Sequence, residues 1–543
     1  MNGITQPILV LSEDALRQTG KDAQKANITA AVSVSEMVRS TLGPRGMDKM
    51  LVDSTGDITI TNDGVTILNE MEIQHPAAKM IREVAKTQEQ EVGDGTTTAV
   101  ILAGQLLKKA GDLLDQGIHR TTIVKGYRLA ASKTIELLNE ISQKISLEDT
   151  QELKKIALTA MTGKGIESSK EKLAEIAVNA INYIACKENG TIKINPDDIQ
   201  IEKKQGGSVS DTELIEGIVV DKEIVHSAMP KLVKNAKIAL LNAALEVKST
   251  ETDAKISITD PEKMQAFADQ ESKMLKNLAE KVKDSGANVV FCQKGIDDLV
   301  QYYLAKYGIL AVRRVKESDM EKLSKATGGR IVSNVNEISS EDLGEAGIVE
   351  EKKIGEDKMV FVRECKEPKA VSILVRGGTE HVVDEAKRAM DDAVLGIAST
   401  LELSSYVYGG GAAEIELAGK LRDYAVSIGG KEQLAIDAFA ESLEIIPRTL
   451  AESAGKDAVE LLVEAKSKHE SGNKEYGINV SEGKVDDMES LGVVEPTKIK
   501  VQAVSAATDV AEMILRIDDI ITAGKSSTSS TTPPGGGMGG MNY

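Results

Sequence analysis

The hydrophobic pattern of this chain has the same order from either end: helical, mixed, α/β, mixed, helical. Residues 20–39 place Ile28, Ala31, Val34 and Val38 at steps of three and four, the spacing of one helix face. That helix stops at Leu42-Gly43-Pro44-Arg45-Gly46, a Pro/Gly turn. KMLVD, Ser54-Thr55-Gly56 and DITIT then read as a hairpin of period two, closed by Asn62-Asp63-Gly64. Helices are expected from Pro76 to about Glu91, from Thr96 to about Gln116 and over 121–144, with Gly93 as a stop signal.

Between 146 and 217 the segments are short and mixed. IALLNAALEV, ANVVFCQ, ILAVRRV and GRIVSNV follow, apolar runs of strand length separated by helical stretches at 261–284, 295–306 and 318–326. Strands alternating with helices predict a partly parallel α/β layer. After VSILVRGG a helix is expected from about Glu380 to Ser399, and VYGGGAAEIELAGKL opens a second helical block that ends near Ala523. Such an order points to nested insertion, with the two chain ends forming one domain. The final KSSTSSTTPPGGGMGGMNY reads as a flexible tail.

Composition excludes several function classes. Aromatics are 3% of the 543 residues and Trp is absent, which argues against base-stacking platforms for nucleic acid. A net charge of −19 repels nucleic acid and anionic lipid. Cys186, Cys292 and Cys365 are far apart and form no CxxC, so neither a disulfide framework nor a zinc site is expected. No basic n-region precedes an apolar stretch in MNGITQPILVLSEDALRQ, and no run approaches the roughly 18 apolar residues of a membrane span. A cytoplasmic protein without a membrane anchor is the expectation.

The chemistry concentrates in glycine–aspartate turns. No G-x-x-x-x-G-K-[ST] loop, G-x-G-x-x-G, H-E-x-x-H or G-x-S-x-G is present, and the five histidines are dispersed. In Gly93-Asp94-Gly95-Thr96-Thr97-Thr98, Gly95 and Thr96 open a helix whose free N–H groups and dipole favour an anion. Asp94 would repel a bare phosphate but would help if Mg²⁺ bridged the two. A plain helix–turn–helix with a threonine N-cap is the bland alternative. Asp63 stands at a strand end, and Asp391 and Asp392 lie mid-helix where Asp is a weak helix former. Gly43-Pro44 and Gly409-Gly410-Gly411 allow close backbone approach, and Lys164 in Thr162-Gly163-Lys164-Gly165 can reach a phosphate as a point charge. Each of these also reads as an ordinary turn or a solvated face.

Taken in order, LGPRGMDKML, TNDGVTIL, HPAAKMIREVAKTQEQEVGDGTTTAV, TAMTGKG, FCQKGIDDLVQYYLAK, YGGGAAEIELA and the closing GGGMGGM resemble the group II chaperonins. The resemblance implies a multidomain chaperonin fold, with a mainly α-helical equatorial ATPase domain, a mixed α/β intermediate domain and an α/β apical domain. It divides the chain into equatorial segments 1–147 and 404–525, intermediate segments 148–217 and 369–403, an apical domain 218–368 and a tail 526–543. A helical protrusion at 246–284 serves as a built-in lid in this pattern, with Met264, Phe267, Met274, Leu275 and Leu278 as its apolar contacts.

By the same resemblance Asp94 is the Mg²⁺ ligand, and Gly95, Thr96, Thr97 and Thr98 hold the phosphates. Gly43 and Pro44 line the phosphate side. Asp63 and Asp392 orient and activate the attacking water, and Lys164 senses the γ-phosphate. Gly410 and Gly411 pack beside the nucleotide, with Asn479 and Glu495 near its adenine and ribose. Asp392, on the intermediate segment, is expected to stand away from Asp94 until that segment swings down. ATP with Mg²⁺ is the implied cofactor set, K⁺ a further candidate. The implied partners are identical or paralogous subunits in two stacked rings of eight or nine, and non-native client proteins. The implied function is an ATP-dependent folding chamber; a nucleotide-binding ring or filament scaffold without productive folding is the alternative.

Overall fold

The computed structural model describes residues 16–188, 191–247 and 261–522. The first block holds α1 (Gly20–Arg39), α2 (Gly64–Glu70), α3 (Pro76–Val92), α4 (Thr96–Asp115) and α5 (Arg120–Ile141). In α1 the buried Ala23, Asn27, Ala31, Val34 and Val38 repeat at helical spacing. The expected hairpin forms from Lys49–Val52 and Ile58–Thr61. The short α2 escaped the sequence pattern, because seven residues are too few to show a period. α5 ends at Ile141, short of the expected 144, because Gln143 and Lys144 leave the helix to pair antiparallel with Ser405–Tyr408.

The segment expected to be short and mixed contains two full helices, α6 (Thr150–Met161) and α7 (Lys170–Ile184). Behind them Ile199–Gln205 pairs parallel with Val371–Gly377, which pairs antiparallel with Glu213–Ile215. The α/β layer is a larger sheet with strand order Leu310–Val312, Val289–Cys292, Leu232–Leu241, Gly344–Ile354, Asp357–Arg363 and Ile218–Val220. Its first three strands run parallel and the other three antiparallel, and Ile331–Val332 adds a further parallel pairing to Leu232–Leu241, so the layer is partly parallel as expected. Its central strand starts at Leu232, earlier than IALLNAALEV indicates, because Leu232, Val233, Lys234, Ala236 and Lys237 already pair with Gly344–Ile354.

Three helices cover this sheet: α8 (Pro261–Asp284), α9 (Asp298–Lys306) and α10 (Glu317–Thr327). Of the expected lid span, 248–260 and the side chain of Met264 lie outside what is described. Phe267 and Met274 are exposed. Leu275 and Leu278 are not free to act as lid contacts as expected: they pack into the core beneath α8 with Ala279 and Val282. The periodicity of α8 is thus partly that of an anchored helix.

α11 (Glu380–Leu403) follows Val371–Gly377, and with α6 and α7 it builds a second core around Ile156, Ala177, Met390 and Ile397. The remaining helices are α12 (Ala412–Ile428), α13 (Gly430–Leu443), α14 (Ile445–Ser453), α15 (Ala458–Glu470), α16 (Met488–Leu491) and α17 (Thr497–Arg516). All of these but α16 share one continuous core with α1 to α5: Val34, Ile81, Leu106 and Tyr127 pack in the same cluster as Leu421, Phe439, Val504 and Ile514. Tyr127 and Phe439 meet edge to face with centroids 5.7 Å apart, and the Tyr127 hydroxyl donates to the Leu106 carbonyl. The last helix stops at Arg516 and not near Ala523. Asp519–Thr522 is a strand paired antiparallel with Leu16–Thr19, so the described ends close on each other. Among the described residues no helix is long and apolar enough to cross a membrane.

Candidate functional site

α3 ends at Gly93 and α4 begins after Gly95, leaving Asp94 at the corner. No side chain caps α4, so its first N–H groups are left without a side-chain partner, as an anion site at a helix start requires. The threonine N-cap of the bland alternative does not occur: Gly95 holds that place with φ 75°, a left-handed conformation suited to glycine. A Cβ at Gly95 would also lie 2.6 Å from Ile499 Cγ2, so the turn is seated hard against α17. The Asp94 carboxylate accepts the Gly95 N–H at 2.6 Å. Thr96 is buried, while Thr97 and Thr98 are half-buried.

Asp63 caps α2, accepting the Thr66 N–H at 2.8 Å and the Thr66 hydroxyl at 2.6 Å. Its turn abuts the first one, since a Cβ on Gly64 would meet Thr97 Oγ1 at 2.6 Å. Asn62 donates to the Gly163 carbonyl at 2.9 Å. The backbone of Gly163 in turn lies against Gly43 and Pro44, where an added Cβ would come within 3.1 Å of Pro44 Cα. The loops at 43–44, 62–63, 94–98 and 163–164 therefore converge.

Lys164 completes the set by pairing with Asp392 on α11. Neighbouring Asp391 points to Lys387 instead, at 2.9 Å, one turn back along the same helix. The expectation that Asp392 stands away from Asp94 fails here. α11 already rests on the glycine–aspartate turn, because Gly93 has no side chain and a Cβ there would fall 2.5 Å from Leu395 Cβ.

One ammonium now faces three carboxylates. Burial disfavours charge on Lys164, but Asp392, Asp94 and Asp63 more than reverse this and hold it protonated well above the usual lysine range. Burial, aided by the fields of Asp94 and Asp63 and opposed by Lys164, pushes the Asp392 carboxyl up to about 8. A carboxyl raised in the folded state adds stability that is complete below its unfolded value of 3.8 and is lost as pH rises through about 8. Asp392→Asn removes that titration. The thermal midpoint of the parent chain, relative to this variant, is expected to fall between pH 4 and 8 in the absence of nucleotide. Scanning fluorimetry across that range checks it; a flat difference contradicts the assigned burial.

A second group of residues lies on the C-terminal block. Gly410, with φ 62°, turns the chain from Ser405–Tyr408 into α12, and its carbonyl accepts the Ile478 N–H at 2.8 Å. Gly411, the next residue, is the N-cap of α12. Asn479 ends the strand Tyr476–Asn479, its side chain accepting from Ser481 N–H and donating to Asp486. Arg45 donates to the Ser481 carbonyl at 2.9 Å, tying the Gly43-Pro44 loop to this hairpin. Glu495 is already engaged by Lys500 at 2.6 Å, and Lys500 also meets Glu414 at 2.7 Å. Burial leads the causes that raise the Glu495 carboxyl, and the Asp94 charge adds to it, so the two groups feel each other.

Two features escaped the sequence reading. Gln88 is the one buried polar residue on the otherwise apolar face of α3, and Lys500 is a buried lysine on the mostly apolar face of α17. A lysine or glutamine inside an apolar stripe is the signal that was there to be weighed. For a metal the donor set suits Mg²⁺: one carboxylate, Asp94, beside an uncapped helix start, completed by phosphate oxygens and water. Among the described residues no cluster of three or more His, Cys, Asp or Glu forms an all-protein metal cage.

Residues 34–525 match the model of the TCP-1/cpn60 chaperonin family. The chain is 63% identical over 518 residues to thermosome subunit beta of Archaeoglobus fulgidus, covering 95% of each chain. It is 60% identical to the thermosome subunit of Methanopyrus kandleri, covering 97% of this chain and 96% of that one. Among solved structures it is similar to the open-state monomer of a group II chaperonin from Methanococcoides burtonii. That match has 48% identity and a TM-score of 0.60, over 78% of this chain and all of that one.

Proposed function

The chain belongs to the TCP-1/cpn60 chaperonin family, and we propose that it hydrolyses ATP where its two ends meet α11. It is an ATP-dependent chaperone of the group II type, an ATPase and a subunit of a double-ring chaperonin. The observation that carries the site is the convergence of Asp63, Asp94, Asp392 and Lys164 at the uncapped start of α4.

In this reading Asp94 holds Mg²⁺, with K⁺ as a further candidate. Bound there, the metal neutralises phosphate charge. The α4 N–H groups with Thr96, Thr97 and Thr98 cradle the phosphates, and Gly43 and Pro44 close the phosphate side. Asp63 and Asp392 orient the attacking water, and Asp392, raised towards neutral pH, accepts its proton. Lys164 exchanges its carboxylate partner for the γ-phosphate, coupling nucleotide state to the 163–165 loop. Gly410, Gly411, Asn479 and Glu495 form the adenine and ribose side.

The shared core of 31–138 and 407–515 supports an equatorial domain built from 1–147 and 404–525. The second core supports an intermediate domain from 148–217 and 369–403. The partly parallel sheet supports an apical domain at 218–368. Motion of the intermediate part completes or opens the site by moving Asp392. Exposed Phe267 and Met274 are proposed as adaptable client or lid contacts. Two stacked rings of eight or nine subunits, identical or paralogous, in the cytoplasm, are the proposed assembly and location. Refolding of a chemically denatured client with and without ATP tests the function. An ATP-dependent gain in native yield is expected; no gain, with nucleotide still bound, would favour the scaffold.

A further inference from the structure

Gln88 is buried in α3 with no exposed surface, one turn before the chain leaves that helix for the Asp94 corner. Its side-chain amide donates to two main-chain carbonyls, that of Asp94 at 2.9 Å and that of Ile499 at 3.2 Å. Two acceptors on one side fix the amide orientation, since the flipped form would set oxygen against oxygen. The cost is visible: Gln88 Oε1 is left buried without a hydrogen-bond partner. A buried polar group kept in that condition calls for a reason beyond packing. Leucine or methionine would fill the space without the orphaned oxygen.

The partners supply that reason. The Asp94 carbonyl belongs to the residue that presents the metal-binding carboxylate, and Ile499 belongs to α17 from the other end of the chain. The turn has no slack between them, because a Cβ on Gly95 would meet Ile499 Cγ2 at 2.6 Å and Gln88 Nε2 at 3.2 Å. The next residue on α17, Lys500, bridges Glu414 and Glu495. Gln88 is therefore a peg joining α3, the Asp94 turn and α17.

We propose that Gln88 is a positioning residue for ATP hydrolysis: it sets where the Asp94 carboxylate stands by holding that residue's carbonyl against α17. The proposal rests on Asp94 as the metal handle. Partners that orient a metal ligand typically change affinity or activity by about 10–100-fold when lost. Gln88→Leu and Gln88→Met, assembled as full-length rings, are to be compared with Asp94→Asn in ATP hydrolysis titrated with Mg²⁺ at saturating ATP, alongside thermal midpoints. For the Gln88 variants the half-saturating Mg²⁺ concentration is expected to rise about tenfold or more and the maximal rate to fall, with part of the loss recovered at high Mg²⁺. Midpoints should stay within a few degrees. An unchanged Mg²⁺ dependence in both Gln88 variants, with that of Asp94→Asn displaced, overturns the role of Gln88 alone. A loss of rate that follows a loss of midpoint at unchanged Mg²⁺ dependence overturns it too, leaving Gln88 as packing. If Asp94→Asn itself leaves the Mg²⁺ dependence in place, the metal assignment fails.

Discussion

Asp392→Ala is expected to bind ATP with near-parent affinity and to hydrolyse it about 100–10,000-fold more slowly, the usual worth of a positioned general base. The carboxyl is the one member of the site that comes from α11, and its proton affinity is raised to about 8 by burial and by Asp94 and Asp63. A base so tuned takes up a proton near neutral pH more readily than an ordinary surface aspartate. Its removal leaves Lys164 beside the charges of Asp94 and Asp63, so the lysine keeps electrostatic partners and the local fold is retained. Asp391 cannot substitute, because it is bonded to Lys387 on another part of the helix surface. Steady-state phosphate release measures the loss. If Asp391→Ala suffers it and Asp392→Ala does not, the register is displaced by one residue.

Asp94→Ala is expected to abolish Mg²⁺-stimulated hydrolysis, by about 100-fold or more, while the subunit still folds and its ring still forms. A metal held at a transferring phosphoryl group supplies several kcal/mol of charge stabilisation, each 1.4 kcal/mol being tenfold in rate. The turn itself survives, since its geometry rests on Gly93, Gly95 and the Gln88 donation to a backbone carbonyl that alanine retains. Lost with the carboxylate are one hydrogen bond, from the Gly95 N–H, and one of the three negative charges around Lys164. Phosphate release with and without Mg²⁺, at matched ring content by light scattering, is the check. A variant that keeps its Mg²⁺ stimulation places the metal elsewhere.

Much of the fold was legible because long helices carry a long period. α1, α3 and α4 begin and end within about two residues of where Ile28, Pro76, Gly93 and Thr96 put them. The errors fall where few residues decide. α2 has seven residues, and Asp519–Thr522 is a strand only because Leu16–Thr19 lies beside it. Pairing partners hundreds of residues away leave no local trace.

The site follows the same division. Asp94 and Asp63 announce themselves through glycine turns, whereas Asp392 on its helix is indistinguishable by pattern from Asp391. What separates them is Lys164, 228 positions upstream. Gln88 and Lys500 were hidden for a different reason: each is a polar residue on a mostly apolar stripe, and its purpose shows only in the partner it reaches.

In the proposed mechanism the Asp63–Asp94–Asp392 set performs the hydrolytic step and not merely the binding of nucleotide. Single-turnover quenching of ATP already bound to Asp392→Ala rings, with occupancy measured in the same samples, tests it most directly. Full occupancy and phosphate formation slowed by at least about 100-fold are expected. Phosphate formed at the parent rate from fully occupied rings would contradict it.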